Sequence, residues 1–344
     1  MDFTFSEAQR DLAAMVREHP QWTDLASSGV LAAALPESAG GNGFGLLEQC
    51  SVLVELGRAV SSAPYLPSIV QAASTVARFG TAEHVDRWVR PALTGSTVLS
   101  VALSEENNDD PLAPVTRASR DSDGWRLTGV KSLVPAPSAD LFLVPATTPD
   151  GLRLFLVTAD EAGVLRQEVV DGDDSCLLDL ADVPLPSDRV LPAAAVEFAL
   201  HRGIVGLCAL QLGVVERALE MTTEYARTRQ QFDRPIGSFQ AVTQRLADAY
   251  IQVEAIRLTL WQAAWRLSEG LPSETEIATA KFWASEGGHY VAHTAVHVHG
   301  GMGIDTSHAL HRYFTAAKRY EFALGGATAH LRRLGAALAA TPAL

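Results

Sequence analysis

The feature that most constrains this chain is a pair of long apolar stripes separated by a short loop that contains proline. From Phe239 the apolar positions run Phe239, Val242, Leu246, Ala249, Val253, Ile256, Leu260, Ala263 and Leu267, spaced alternately three and four residues apart. That spacing holds one stripe on one face of a helix. Upstream, Val205, Cys208, Leu212, Val215, Leu219 and Thr222 form a second such stripe. Residues 229–237 join the two. Pro235 cannot sit in a helix interior, and Gly237-Ser238 is expected to supply a flexible residue and an N-cap for the second helix. The two helices are therefore expected to lie antiparallel, as part of a helical bundle.

A chain of 344 residues, 47% of them hydrophobic, has material for two or three domains with sizeable cores. Its net charge of −13 argues against nucleic acid or an anionic membrane as the main partner. Local basic residues can still dominate at short range and hold an anionic ligand. Cys50, Cys176 and Cys208 show no metal-ligand or redox spacing and sit among apolar neighbours. They read as reduced, buried small hydrophobes in a cytoplasmic protein. The first seven residues carry neither a basic region nor an apolar run, so no secretory signal is expected. Nor does a run of roughly 18 apolar residues stand out as a membrane span.

Three regions follow from the changes in period. Residues 1–92 read as a helical N-terminal domain, with Ser6 as an N-cap, a helix over 46–58 stopped at Leu56-Gly57, and a glycine-rich loop at 36–45. Residues 93–192 carry short apolar runs at 98–103, 125–130, 141–144, 152–157 and 164–170, bounded by Gly, Pro, Asp and Ser. These predict a middle antiparallel β-domain, a barrel or sandwich. Residues 193–344 return to helix, with a third long helix over 274–298, a fourth over 307–321 and a short one over 328–340. The expected class is mainly α with a β-domain, the C-terminal part being a four-helix bundle.

The wording of the hairpin is specific. Tyr225-Ala-Arg-Thr-Arg-Gln-Gln-Phe-Asp-Arg-Pro-Ile-Gly-Ser-Phe-Gln240, followed by Arg245-Leu-Ala-Asp248, resembles the signature of acyl-CoA dehydrogenases. The resemblance implies a flavoprotein acting on acyl-CoA thioesters, in which Arg229, Phe232 and Gln240 reach the FAD of a neighbouring subunit. The plainer alternative is that Arg229 and Gln240 are polar groups closing a hairpin. A second motif, His297-Val-His-Gly-Gly-Met-Gly303, contains glycines whose backbone can approach a phosphate closely and donate amide hydrogens. Gly300, Gly301 and Gly303 are, by the same resemblance, contacts to the adjacent FAD, and His297 stands where the family usually has Gln. His293, His297, His299 and His308 lack carboxylates at ligand spacing, so no metal site is expected.

Elsewhere the chain departs from its relatives. The family's Thr-Glu-Pro and Gly-Ser-Asp, which line the flavin ring, are reduced here to Ser104-Glu105; Ser104 is the remaining candidate contact. The Trp-Ile-Thr that packs beside the flavin is replaced by Leu133-Val134-Pro135, after Lys131. Desaturation of a thioester needs a carboxylate to take the α-proton. Leu324 and Gly203 occupy the two positions where relatives carry that Glu, leaving Glu321 as a weak substitute that also reads as a surface residue near Lys318 and Arg319. What such a chain would lend to a neighbour is intact; what it needs for its own flavin is degraded.

The expected role is one subunit of a heteromeric acyl-CoA dehydrogenase of two-plus-two composition, completing the FAD site of a partner that carries the base. Such an assembly resembles the paired subunits that actinobacteria use for steroid side chains, with electron-transfer flavoprotein as acceptor. The alternatives are a self-sufficient homotetramer with a relocated base and a flavin-dependent monooxygenase on the same fold.

Overall fold

The computed structural model describes residues 4–108, 110–167 and 175–340. They gather into two compact units, Met1–Pro20 with Cys50–Ser61 and Ile204–Leu344, and Gln21–Gln49 with Ser62–Gly203.

In the first unit, helix α1 (Glu7–Glu18) begins with a capping box. The Ser6 hydroxyl accepts from the Gln9 amide at 3.1 Å, and the Gln9 side chain accepts from the Ser6 amide at 2.9 Å. Two amide groups that the first turn cannot satisfy internally are thereby paired. Helix α2 (Leu46–Ala59) does not stop at Gly57 as expected. A Cβ on Gly57 would lie 2.2 Å from the Leu210 carbonyl oxygen, and one on Gly213 would lie 1.9 Å from that of Val54. The glycines are a close crossing of α2 and helix α3 (Ala193–Thr228), not a helix stop. The chain leaves α2 through Val60, at φ 47°.

Helices α4 (Gln240–Ser268), α5 (Glu274–His299), α6 (Leu310–Phe322) and α7 (Ala327–Ala340) complete the unit, with α5 packed against α4, α6 and α7. The predicted stripe on α4 is buried from Ala249 through Val253, Ile256, Leu260 and Ala263. Gln211 of α3 donates to the Ala317 carbonyl of α6 at 3.2 Å, and Gly288 of α5 leaves room for it, since a Cβ there would meet its amide nitrogen at 1.8 Å. One buried amide thus fixes three helices of the bundle. The N-cap expectation fails: Ser238 lies in a 3₁₀ turn, Ile236–Ser238, and its hydroxyl donates to the Pro235 carbonyl. Phe239 is the capping position of α4.

One expectation about membranes changes. Helix α3 is long and apolar enough, by length and composition, to cross a membrane, with mean hydropathy 1.6 over its most apolar window, and 83% of that window is buried. Such burial is what the core helix of a folded domain shows.

The second unit holds an eight-stranded sheet in the order β6-β7-β3-β2-β4-β5-β8, with β1 added on β4. The strands are β1 (Leu99–Val101), β2 (Arg117–Arg120), β3 (Gly124–Pro135), β4 (Leu141–Thr148), β5 (Gly151–Thr158), β6 (Gly163–Gln167), β7 (Ser175–Pro186) and β8 (Val190–Leu191). The sheet is mixed, not wholly antiparallel: β1 and β2 each pair in parallel with β4. The run at 164–170 is a strand as far as Gln167, and 168–170 lie outside the described residues. Trp125, Leu127, Phe142, Phe155, Val157 and Leu178 form the sheet's core, with Trp125 and Phe155 edge to face at 5.3 Å. The pairing of β3 with β7 shifts register between Lys131 and Val134, where Leu133 takes φ 50° and is pushed 60% into solvent.

Candidate functional site

The loop between α3 and α4 is a miniature hairpin. Strands β9 (Gln230–Gln231) and β10 (Arg234–Pro235) pair antiparallel, leaving Phe232 and Asp233 as a two-residue turn. Both have positive φ, 53° and 60°, the backbone of a type I′ turn. That turn favours Asn-Gly; Phe-Asp in its place carries strain, which marks functional loops. The Phe232 ring at the tip is 86% exposed. It meets Phe239 edge to face at 6.2 Å, and the Arg234 guanidinium lies 4.1 Å from the Phe239 ring centroid. At the hairpin's root the Ile236 amide donates to the Arg229 carbonyl at 2.8 Å.

Beside the hairpin lies a cavity of about 590 Å3, lined by Phe232, Ile236 and Phe239, by Arg245 and Asp248 of α4, and by His297 of α5. Phe232 and His297, taken from separate motifs, therefore face one space. Arg229 and Gln240 are exposed beside it without lining it, Gln240 directly preceding the lining residue Ala241. Gly300 takes φ 62° and a Cβ on Gly301 would meet nothing within 4 Å, so the backbone is bare there; a Cβ on Gly303 would strike the Val296 carbonyl at 2.7 Å. Arg245 and Asp248, which belong to the signature but were not named as contacts, also line the cavity, and so does Tyr290, which no motif pointed to. The signal was available: Arg245 and Asp248 are three apart on one helix, and Tyr290 is two turns before His297. The aromatic faces and the Arg245 guanidinium that line the cavity, with Arg229 and a glycine turn free of side chains nearby, suit an aromatic ring joined to a phosphate, and so fit part of FAD.

Ser104 lies in the other unit, where its carbonyl accepts from the Ser132 amide at 3.0 Å. Next to it, Glu105 accepts from Lys131 Nζ at 2.7 Å, the Thr116 amide at 2.9 Å, the Thr116 hydroxyl at 2.6 Å, the Val115 amide at 2.6 Å and Asn108 Nδ2 at 2.9 Å. Burial opposes the charge, but the Lys131 ammonium and the Thr116, Asn108 and Val115 donors outweigh it and pull the carboxyl down to about 2. A carboxylate so engaged is a structural anion, not a proton acceptor.

The two positions at which the resemblance expects a base are Leu324 and Gly203, and neither side chain carries a carboxylate. Leu324 follows α6 at φ 54°, and its carbonyl lies 3.0 Å from His330 Nε2. Burial holds that imidazole neutral, down to about 4. The carbonyls of Tyr320 and Glu321 accept from Lys281 Nζ at 2.9 and 3.1 Å. Gly203 is buried within α3. Glu321 is neither free nor at the surface: Lys318 Nζ lies 2.5 Å from its Oε2 and His289 Nδ1 3.1 Å from its Oε1.

The model of the acyl-CoA dehydrogenase C-terminal domain matches residues 193–339, and that of the acyl-CoA dehydrogenase N-terminal domain residues 4–96. Acyl-CoA dehydrogenase FadE27 of Mycobacterium tuberculosis is 46% identical over 100% of both chains. A chain of the ChsE4-ChsE5 complex from Mycobacterium tuberculosis superposes with a TM-score of 0.94, at 46% identity and full coverage of both chains. A variant of the Tcur3481-Tcur3483 steroid ACAD superposes at 0.91, with 41% identity over 97% of this chain and 98% of that one. The chain belongs to the acyl-CoA dehydrogenase family, oxidoreductases that act on acyl-CoA.

Proposed function

We propose that this chain is the subunit of a heteromeric acyl-CoA dehydrogenase that completes the FAD site of a partner carrying the catalytic base. One observation carries the proposal: the cavity beside the Phe232 hairpin is built and open, whereas Leu324, Gly203 and Glu321 offer no carboxylate free to take a proton. The likeness to a chain of the two-component ChsE4-ChsE5 complex supports it.

Bound FAD supplies the acceptor for the hydride that leaves the acyl β-carbon. This chain's part is binding. Arg245 in the cavity and Arg229 beside it would hold the phosphates, Phe232 and Phe239 would offer ring faces, and the turn Gly300–Ile304 would let the cofactor approach the backbone closely. Gln240 and His297 add polar contacts at the rim. A carboxylate supplied by the partner would take the α-proton. The steroid ACAD among the similar structures favours a bulky, steroid-derived acyl-CoA as substrate, and the proposal takes electron-transfer flavoprotein as acceptor and the cytoplasm as location from the sequence resemblance. Division into domains at 92 and 192 belongs to the same proposal, and the family matches ending at 96 and starting at 193 support it.

The test is to purify the chain alone and co-expressed with its paired homologue. Alone it is expected to hold little FAD and show negligible acyl-CoA oxidation, with both restored by the partner. Full flavin loading and turnover by the isolated chain would refute the proposal.

A further inference from the structure

The two arms of the cofactor bay come from distant parts of the sequence, and one aromatic contact joins them. Tyr225 stands on the last turn of α3, four residues before Arg229. His299 is the last residue of α5, immediately before Gly300. Their rings stack with centroids 4.4 Å apart and planes 15° from parallel. The Tyr225 hydroxyl reaches on to Met302 Sδ, at 4.0 Å, within the glycine turn itself.

The imidazole is well anchored. His299 is buried, its Nδ1 lies 2.8 Å from the Ala295 carbonyl, and the His308 ring approaches at 5.5 Å. Tyr225 itself does not line the cavity. We infer that Tyr225 is a positioning residue: its stack on His299 fixes the spacing between the Arg229 hairpin and the Gly300–Ile304 turn, and so sets how tightly the bay holds FAD. The inference rests on the proposed FAD role.

The experiment measures FAD affinity by flavin fluorescence on the deflavinated, co-purified complex, with thermal unfolding of each variant alongside. Tyr225→Leu keeps an apolar group and removes the ring and its stack; it is expected to weaken FAD binding about tenfold, the affinity equivalent of an aromatic pair. Tyr225→Phe keeps the ring and is expected to stay within about twofold of the parent. His299→Leu should match Tyr225→Leu, and the double variant should be no weaker than either single, because each removes the same contact. A purely structural role predicts lower unfolding temperature without this pattern in affinity.

Unchanged FAD affinity in Tyr225→Leu, additive losses in the double variant, or failure of Tyr225→Phe to restore binding would each overturn the inference. Arg229→Ala separates the two levels. If it weakens FAD binding and Tyr225→Leu does not, the positioning role fails alone; if Arg229→Ala has no effect, the FAD role fails with it.

Discussion

The Lys131 ammonium lies 2.7 Å from Glu105 Oε1, with the two side chains 0% and 5% exposed. An ion pair and its ring of donors thus tie β3 to the loop before β2. Lys131→Met strands the carboxylate and is expected to cost about 3 to 5 kcal/mol, while Lys131→Met with Glu105→Leu removes the stranded charge, leaves the Thr116 donors without their acceptor, and recovers part of it. Urea unfolding of the three proteins decides the matter, and a double variant as unstable as the single would contradict the ion-pair account. Because Glu105 is held down to about 2, its contribution is complete above its ordinary value of 4.5 and is lost as pH falls from there through 2.

His330 supplies a second acid-sensitive element. Its folded value of about 4 lies below the ordinary 6.5, so the unfolded chain binds the proton first. Stability contributed by the neutral imidazole is intact above pH 6.5 and falls as pH drops through 4, by about 3 kcal/mol in all. His330→Gln, which cannot titrate, should flatten that part of the stability profile between pH 6.5 and 4. An unchanged slope in denaturant unfolding across that range would count against it.

The crossing of α2 and α3 leaves no room for a methyl group. Gly57→Ala and Gly213→Ala each drive a Cβ to within 2.2 Å or less of a backbone oxygen. Backbone cannot rotate away, so each is expected to cost about 3 kcal/mol or to abolish folding. Gly335→Ala in α7, where a Cβ meets nothing within 4 Å, is the control and should be neutral or slightly stabilising. Thermal unfolding of the three variants tests the contrast.

Strain at the hairpin tip predicts a trade between stability and binding. Replacing Phe232-Asp233 by Asn-Gly, the pair a type I′ turn prefers, is expected to raise stability by about 1 kcal/mol. The same change removes the exposed ring and should weaken FAD binding by the co-purified complex. A variant more stable and equally good at holding FAD would show that the ring has no binding role.

The hairpin was legible because its message is local: alternating apolar spacing, a proline and a run of specific residues lie within one stretch. The long helices were legible for the same reason. What escaped was decided by partners distant in sequence. Gly57 looks like a helix stop until α3 is seen to press on it, and Ser238 looks like a cap until its hydroxyl is found on Pro235. Strand β7 was missed because Asp179, Asp182, Pro184 and Pro186 read as loop, although they alternate with the buried Leu178, Leu180, Val183 and Leu185. In the candidate site, Phe232 and His297 were predicted from motifs, whereas Tyr290, seven residues from His297, joins them only through the pitch of α5.

The flavin content of the co-purified complex tests the central claim most directly. FAD released by denaturation, counted against total polypeptide, should come to one flavin for every two chains if, as proposed, this chain completes a site and does not own one. One flavin per chain would contradict the account.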